Sequence, residues 1–227
     1  MTSCETAFIT LQARISTAAT QQPGTSVRLL AVSKLQPASA VRACSALGQR
    51  AFGENYVQEA LAKQRDLSDL NLEWHLIGPL QSNKCRDVAE HFDWLQSLDR
   101  LKLIEPLAHF RPAQRAPLNV LIQVNIDDEA SKSGCKPDLV PTLAAAICAQ
   151  SRLRLRGLMA IPAPITALHT SGSAFRHMRS LYDLLKASYP QVDTLSMGMS
   201  DDLELAIAAG STMVRVGSAL FGARLPR

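Results

Sequence analysis

The run "LLAVSK" (29–34) is apolar enough for a buried strand, yet it ends on the ammonium group of Lys34. A lysine so placed has two readings. It can snorkel to water along its aliphatic stem, or it can serve as an amine that forms an imine with a carbonyl. Two later stretches carry complementary chemistry. "SMGMSDD" (196–202) and "RVGSALFG" (215–222) combine glycines, which let backbone N–H groups approach a ligand, with the hydroxyls of Ser200 and Ser218. Each leads into a helical pattern whose first N–H groups favour an anion. Arg215 adds a donor that does not give up its proton. Asp201 and Asp202 would repel an anion, so both are expected to face away and to cap the next helix with Glu204.

These residues need a scaffold that brings strand ends together. Eight short apolar runs alternate with helical patterns: 28–34, 50–55, 73–78, 93–99, 118–126, 155–161, 193–199 and 212–218. Most lack strict alternation, as expected of parallel strands covered on both faces. Between them, Val41, Cys44 and Leu47 follow Pro37 at helical spacing, and Gly48 suits the stop. Val57, Leu61 and Gln64 mark a second face; Cys85, Val88 and Phe92 a third; Leu139, Leu143 and Ile147 a fourth. Phe175, Met178, Tyr182 and Leu185 mark a fifth before Pro190, and "DDLELAIAAGS" is a short sixth. Phe8, Leu11 and Ile15 add an N-terminal helix.

The order predicts an α/β fold: a single-domain (β/α)8 TIM barrel over residues 1–227, with 1–27 as a helix and linker packed on the barrel. The rival, an open doubly wound sheet, usually carries a Gly-rich first βα turn, and here that turn is "SKLQP". The stretch 162–173 reads as a flexible βα loop above the mouth.

Composition excludes several functions. A net charge of +4 with scattered basic residues and 5% aromatics is unlike a nucleic-acid surface. No apolar run approaches a membrane span, and the N-terminus lacks a signal-peptide pattern, so a cytoplasmic protein is expected. Five widely spaced cysteines suit reduced thiols, and the histidines lack metal-ligand spacing.

In a barrel the chemistry sits at the C-terminal strand ends. Those ends hold Lys34, Asn55, His75, Gly78, Ser97, Asp99, Asn125, Met159, Ser196 to Ser200 and Arg215 to Ser218. A strand-1 lysine, a strand-8 arginine and a phosphate cradle together describe a pyridoxal 5′-phosphate site. An arginine at the pyridine nitrogen would leave the ring largely unprotonated and a weak electron sink. A Schiff-base aldolase is the alternative that uses the lysine and the cradle but not Arg215.

Here the sequence resembles a known family. "AVSK", "FGENYVQE", "WHLIGPLQSNK", "VNIDDEASKSG", "GLMAIPAP" and "LSMGMSDDLELAIAAGSTMVRVGSALFGAR" are similar to the pyridoxal phosphate homeostasis proteins, the YggS/PROSC family, over about residues 28 to 224. That family resembles the N-terminal barrel of alanine racemase, a fold-type III pyridoxal phosphate barrel. The resemblance implies that Lys34 carries the imine and that Arg215 sits at the pyridine nitrogen. Ser200, Gly217 and Ser218, with Ser196 a weaker candidate, would contact the phosphate; Asn55, His75 and Met159 would line the ring pocket. Two residues depart from the family pattern: Ser218 stands where threonine is common, and Leu76 where phenylalanine is frequent.

Bland readings stand beside some of these. His75 can simply be hydrogen-bonded at a strand end, Met159 can be core filler, and Lys132 is by default an exposed loop lysine rather than a second aldehyde acceptor. The implied function is a non-catalytic, monomeric carrier that serves apo-enzymes. The alternative is an amino-acid racemase, which needs an acid/base on each face of the substrate. The chain stops nine residues after Ser218, so no second domain is expected to supply the opposite base.

Overall fold

All eight apolar runs form strands: β1 (Arg28–Val32), β2 (Ala51–Glu54), β3 (Glu73–Leu76), β4 (Trp94–Leu98), β5 (Leu118–Gln123), β6 (Leu153–Met159), β7 (Thr194–Ser196) and β8 (Met213–Val216). In this computed structural model, which describes residues 3–20, 22, 26–129, 132–163 and 172–222, they are parallel and pair in chain order into a closed barrel. β8 returns to β1 with Leu30 opposite Arg215. Closure leaves no sheet edge unpaired.

The helices are α1 (Ser3–Ala19), α2 (Ala38–Ala46), α3 (Val57–Asp66), α4 (Cys85–His91), α5 (Ile104–Phe110), α6 (Val140–Cys148), α7 (Ser173–Ser188), α8 (Leu203–Ala208) and α9 (Ser218–Phe221). Their apolar faces and the outward strand residues form one continuous core. α1 buries Leu11 and Ile15 and packs on α2, α8 and α9. α7 buries the four residues its spacing marks.

Two helix faces are rotated from the expected ones. α3 buries Val57, Ala60 and Lys63, while Leu61 and Gln64 lie on its half-buried flank. The turn before α6 leaves Leu139 exposed, and Val140 joins Leu143 and Ile147 inside. The centre of the 162–173 connection, residues 164–171, lies outside the described residues. Among the described residues no helix is long and apolar enough to cross a membrane.

The barrel interior holds two small apolar clusters, Leu30–Ala51–Met213 and Trp94–Leu121–Met159. Register shifts place an extra residue in β4 between Leu95 and Leu98, and one in β6 between Leu155 and Gly157. Such bulges re-aim side chains. The β6 bulge depends on Gly157: its φ is +148°, and a Cβ there would meet the Thr194 carbonyl oxygen of β7 at 1.8 Å.

Gly157→Ala should therefore cost above about 3 kcal/mol, because strain adds to a clash with backbone that cannot yield. Gly48→Ala, at φ +100° with nothing within 4 Å, should cost only about 1–2 kcal/mol. Urea unfolding of both variants checks this; equal losses would show that β7 can shift away from β6.

Candidate functional site

The first strand delivers its lysine through a turn held from below. After Val32 the chain enters a turn at Lys34–Leu35, and Leu35 adopts a left-handed φ of +62°, strained for a leucine. Buried charges fix both neighbours of Lys34. Lys63 on α3 donates to the Ser33 carbonyl oxygen at 2.7 Å and to Glu54 and Glu59 carboxylates, each at 2.7 Å. Ser33 Oγ donates to Glu54 at 2.6 Å, and the Leu35 N–H donates to Glu59 at 2.5 Å. Glu54 is fully buried, and burial lifts its carboxyl above the usual range against the pull of Lys63 and Ser33.

Lys34 opens onto a pocket of about 230 Å³ at the C-terminal end of the barrel. That is below the roughly 300–1,000 Å³ of drug-sized sites, so it suits a single-ring ligand. Asn55 and Ile77, from the ends of β2 and β3, form one side. Ser200, Gly217 and Ser218, from the turns after β7 and β8, form the other. A Cβ at Gly217 would stand 3.1 Å from the Val32 carbonyl oxygen, so the last turn lies against β1. Gly78 is tighter still: a Cβ would meet the Asn55 carbonyl oxygen at 2.2 Å, which ties the Asn55 loop to the next one.

Asp201 departs from expectation, since it lines the pocket rather than facing away. Asp202 turns back and accepts the Met199 N–H at 2.6 Å. Glu204 does not cap α8; it pairs with Arg14 of α1 at 2.7 Å, and Arg14 also donates to the Ser200 carbonyl oxygen at 3.0 Å. The N-terminal helix thus holds one wall of the mouth.

Arg215 reaches the pocket from inside the barrel and is only 4% exposed. Burial presses its guanidinium down to about 10, with Asp202 pulling the other way, so it stays charged at neutral pH. Nη1 donates to the carbonyl oxygen and Oγ of Ser196, each at 2.8 Å, and Nη2 donates to the Ala160 carbonyl oxygen at 2.8 Å. Three of the five N–H donors of an arginine are thereby used, leaving Nε and one Nη2 hydrogen for a ligand.

Three expected pocket residues lie deeper. Met159 is fully buried against Trp94 and Leu121. His75 stacks on Trp94 with ring centroids 5.0 Å apart and bonds Glu73 and Gln96. Ser196 supports Arg215 and donates to Gln96 Oε1 at 2.8 Å. None of the three lines the mouth pocket. Lys132 pairs with Asp127 and Glu129 at 3.2 and 3.3 Å, away from the pocket wall. All five cysteines are free, and burial pushes Cys44 and Cys135 up to about 12. Among the described residues no group of His, Cys, Asp or Glu is placed to hold a metal ion.

Removing Lys63 would leave Glu54 buried without its cation. Lys63→Met should cost about 3–5 kcal/mol, read by urea unfolding. The double variant Glu54→Leu/Lys63→Met should recover a large part of that loss. A double variant no more stable than the single one would show that the pair is not the source.

Residues 9–225 match the family model described as alanine racemase, N-terminal domain. The chain is 57% identical over 207 residues to the pyridoxal phosphate homeostasis protein of Pseudomonas aeruginosa, covering 91% of this chain and 88% of that one. It superposes on PipY of Synechococcus elongatus with PLP bound at a TM-score of 0.78 and 40% identity, covering 92% of this chain and 99% of that one. An alanine racemase from Bartonella henselae with covalently bound pyridoxal phosphate shares the fold at TM-score 0.66 and 19% identity, covering 93% of this chain and 58% of that one.

Proposed function

The chain belongs to the pyridoxal phosphate homeostasis protein family, and from that premise we propose that it holds pyridoxal 5′-phosphate at the barrel mouth as a carrier, not as a catalyst. The observation that carries this reading is the meeting of Lys34 and Arg215 in one pocket with Gly217, Ser200 and Ser218. The cofactor supplies an electrophilic aldehyde, a basic ring nitrogen and a phosphate dianion. The donor set fits these three groups. Lys34 offers an amine to take the aldehyde. Ser200, Ser218 and the backbone at Gly217 offer donors to the phosphate. Arg215 has N–H groups left for the ring nitrogen, and Asn55 stands at the ring's flank. Asp201 is the one wall residue of the wrong sign, and its exposure lets water screen it.

The same geometry favours holding over turnover. A guanidinium can only donate, so the ring nitrogen it meets keeps no proton of its own and draws electrons weakly. Among the described residues, no tyrosine, histidine or cysteine lines the pocket to act as a base opposite Lys34. In this reading the chain works as a cytoplasmic monomer that supplies apo-enzymes.

Borohydride reduction of the loaded protein, followed by peptide mapping, should place the cofactor on Lys34, and Lys34→Ala should lose the label. Label found mainly on Lys132 or Lys84 would overturn the assignment. Arg215→Ala should weaken binding about ten- to hundredfold, the cost of a charged donor of roughly 1.5–3 kcal/mol.

Proton exchange at Cα of L-alanine in deuterated water should stay near the rate with free cofactor. A base alone contributes about 10²–10⁴-fold, so saturable exchange of that size would make the protein a racemase. Mixing the loaded protein with an apo-enzyme tests delivery. Reactivation no faster than with free cofactor would remove the carrier role and leave binding intact.

A further inference from the structure

A buried guanidinium normally faces a carboxylate, yet the direct partners of Arg215 are carbonyl and hydroxyl oxygens. The nearest carboxylate along its hydrogen bonds is Glu73, reached through three side chains. Arg215 Nη1 bonds Ser196 Oγ at 2.8 Å, and Ser196 Oγ bonds Gln96 Oε1 at 2.8 Å. Gln96 Nε2 bonds His75 Nδ1 at 2.9 Å, and His75 Nε2 bonds Glu73 Oε1 at 2.8 Å. Ser196, Gln96 and His75 are fully buried, so their bonds are made out of contact with bulk solvent. Gln96 lies two residues after Trp94 on β4, so strand alternation turns it into the barrel interior.

The direction of every bond in this string is forced from one end. Arginine has no acceptor, so Ser196 Oγ must accept from it and spend its own hydrogen on Gln96. Gln96 Oε1 is then the acceptor, and its amide N–H must point to His75. His75 Nδ1 accepts, so its proton sits on Nε2 and is donated to Glu73. Burial opposes ionisation of Glu73, but the hydrogen bond from His75 and the Arg28 guanidinium 2.6 Å away favour it and hold the carboxyl below its usual range. The far end is therefore a carboxylate.

We propose that Gln96 and His75 are positioning residues for Arg215, joining it to Glu73 through a one-way string of hydrogen bonds that keeps the two unused N–H groups of the guanidinium turned to the mouth. What Arg215 then binds rests on the pyridoxal phosphate reading; the string itself does not.

The first test uses the cofactor-free protein. With 15N-labelled histidine at pH 7, His75 should be neutral and carry its proton on Nε2. Gln96→Glu keeps the shape but replaces the donor with an acceptor, so His75 should become an imidazolium between two carboxylates. The other charges facing the ring are Arg28 from β1, Arg156 across Trp94 and Asp93 ahead of β4, and none is altered.

The second test measures binding of pyridoxal phosphate. Gln96→Leu should weaken it about tenfold, and combining it with Arg215→Ala should add little, because the two act on one contact. A proton on Nδ1, or an imidazolium, in the parent protein overturns the proposal even if Gln96→Leu fails to fold. So does a folded Gln96→Leu protein whose Arg215 side-chain resonances and cofactor affinity match the parent. If the parent does not bind pyridoxal phosphate at all, the carrier reading falls, and the histidine spectra still decide the string.

Discussion

A guanidinium is all donor, and burying one inside a barrel constrains everything around it. Interiors of such barrels are ordinarily filled with branched apolar residues. Here Arg215 must have oxygen atoms on three sides and an open fourth side. The sheet meets that demand with polar groups from three strands. β4 turns Gln96 inward two residues after Trp94, β7 contributes the carbonyl and hydroxyl of Ser196, and the end of β6 offers the Ala160 carbonyl. Apolar filling is pushed into two separate clusters on either side. A buried polar group is costly unless every bond is made, so these departures stand or fall together.

Lys34 is held by a different device. Its neighbours, Ser33 and Leu35, are gripped through Lys63, Glu54 and Glu59 on the helix side of the sheet. The mouth therefore has two anchored basic residues, one tied within the barrel and one held from outside it. A substitution that loosens one anchor leaves the other in place.

Much of the scaffold was legible because parallel strands write themselves as apolar runs, and all eight lie where those runs are. The mouth residues were legible too, since Lys34, Arg215 and the Gly/Ser pairs are rare company for strand ends. Depth was not. His75 lies two residues before Ile77, and at about 3.3 Å per residue that removes it from the mouth. Met159 is likewise a strand residue seated against Trp94. Gln96 in "DWLQSLD" shares a strand face with Trp94, but composition does not say which face of a strand covered on both sides looks into the barrel. Lys63 in "ALAKQRD" looks like any surface helix lysine. Only its carboxylate partners on β2 and one turn away make it internal, and those meet it through the fold.

The closing pair of strands gives the site an order in time. Leu30 and Arg215 lie opposite each other, so the first strand finds its second neighbour only when the last has been made. A growing chain can present Lys34 early, yet it has no pocket until β8 docks. Long-range closure of this kind is slow to form, and a ligand that recognises only the closed barrel stabilises that state by mass action. Occupancy of the mouth in that sense reports closure, since the pocket exists only once the last strand has docked against the first.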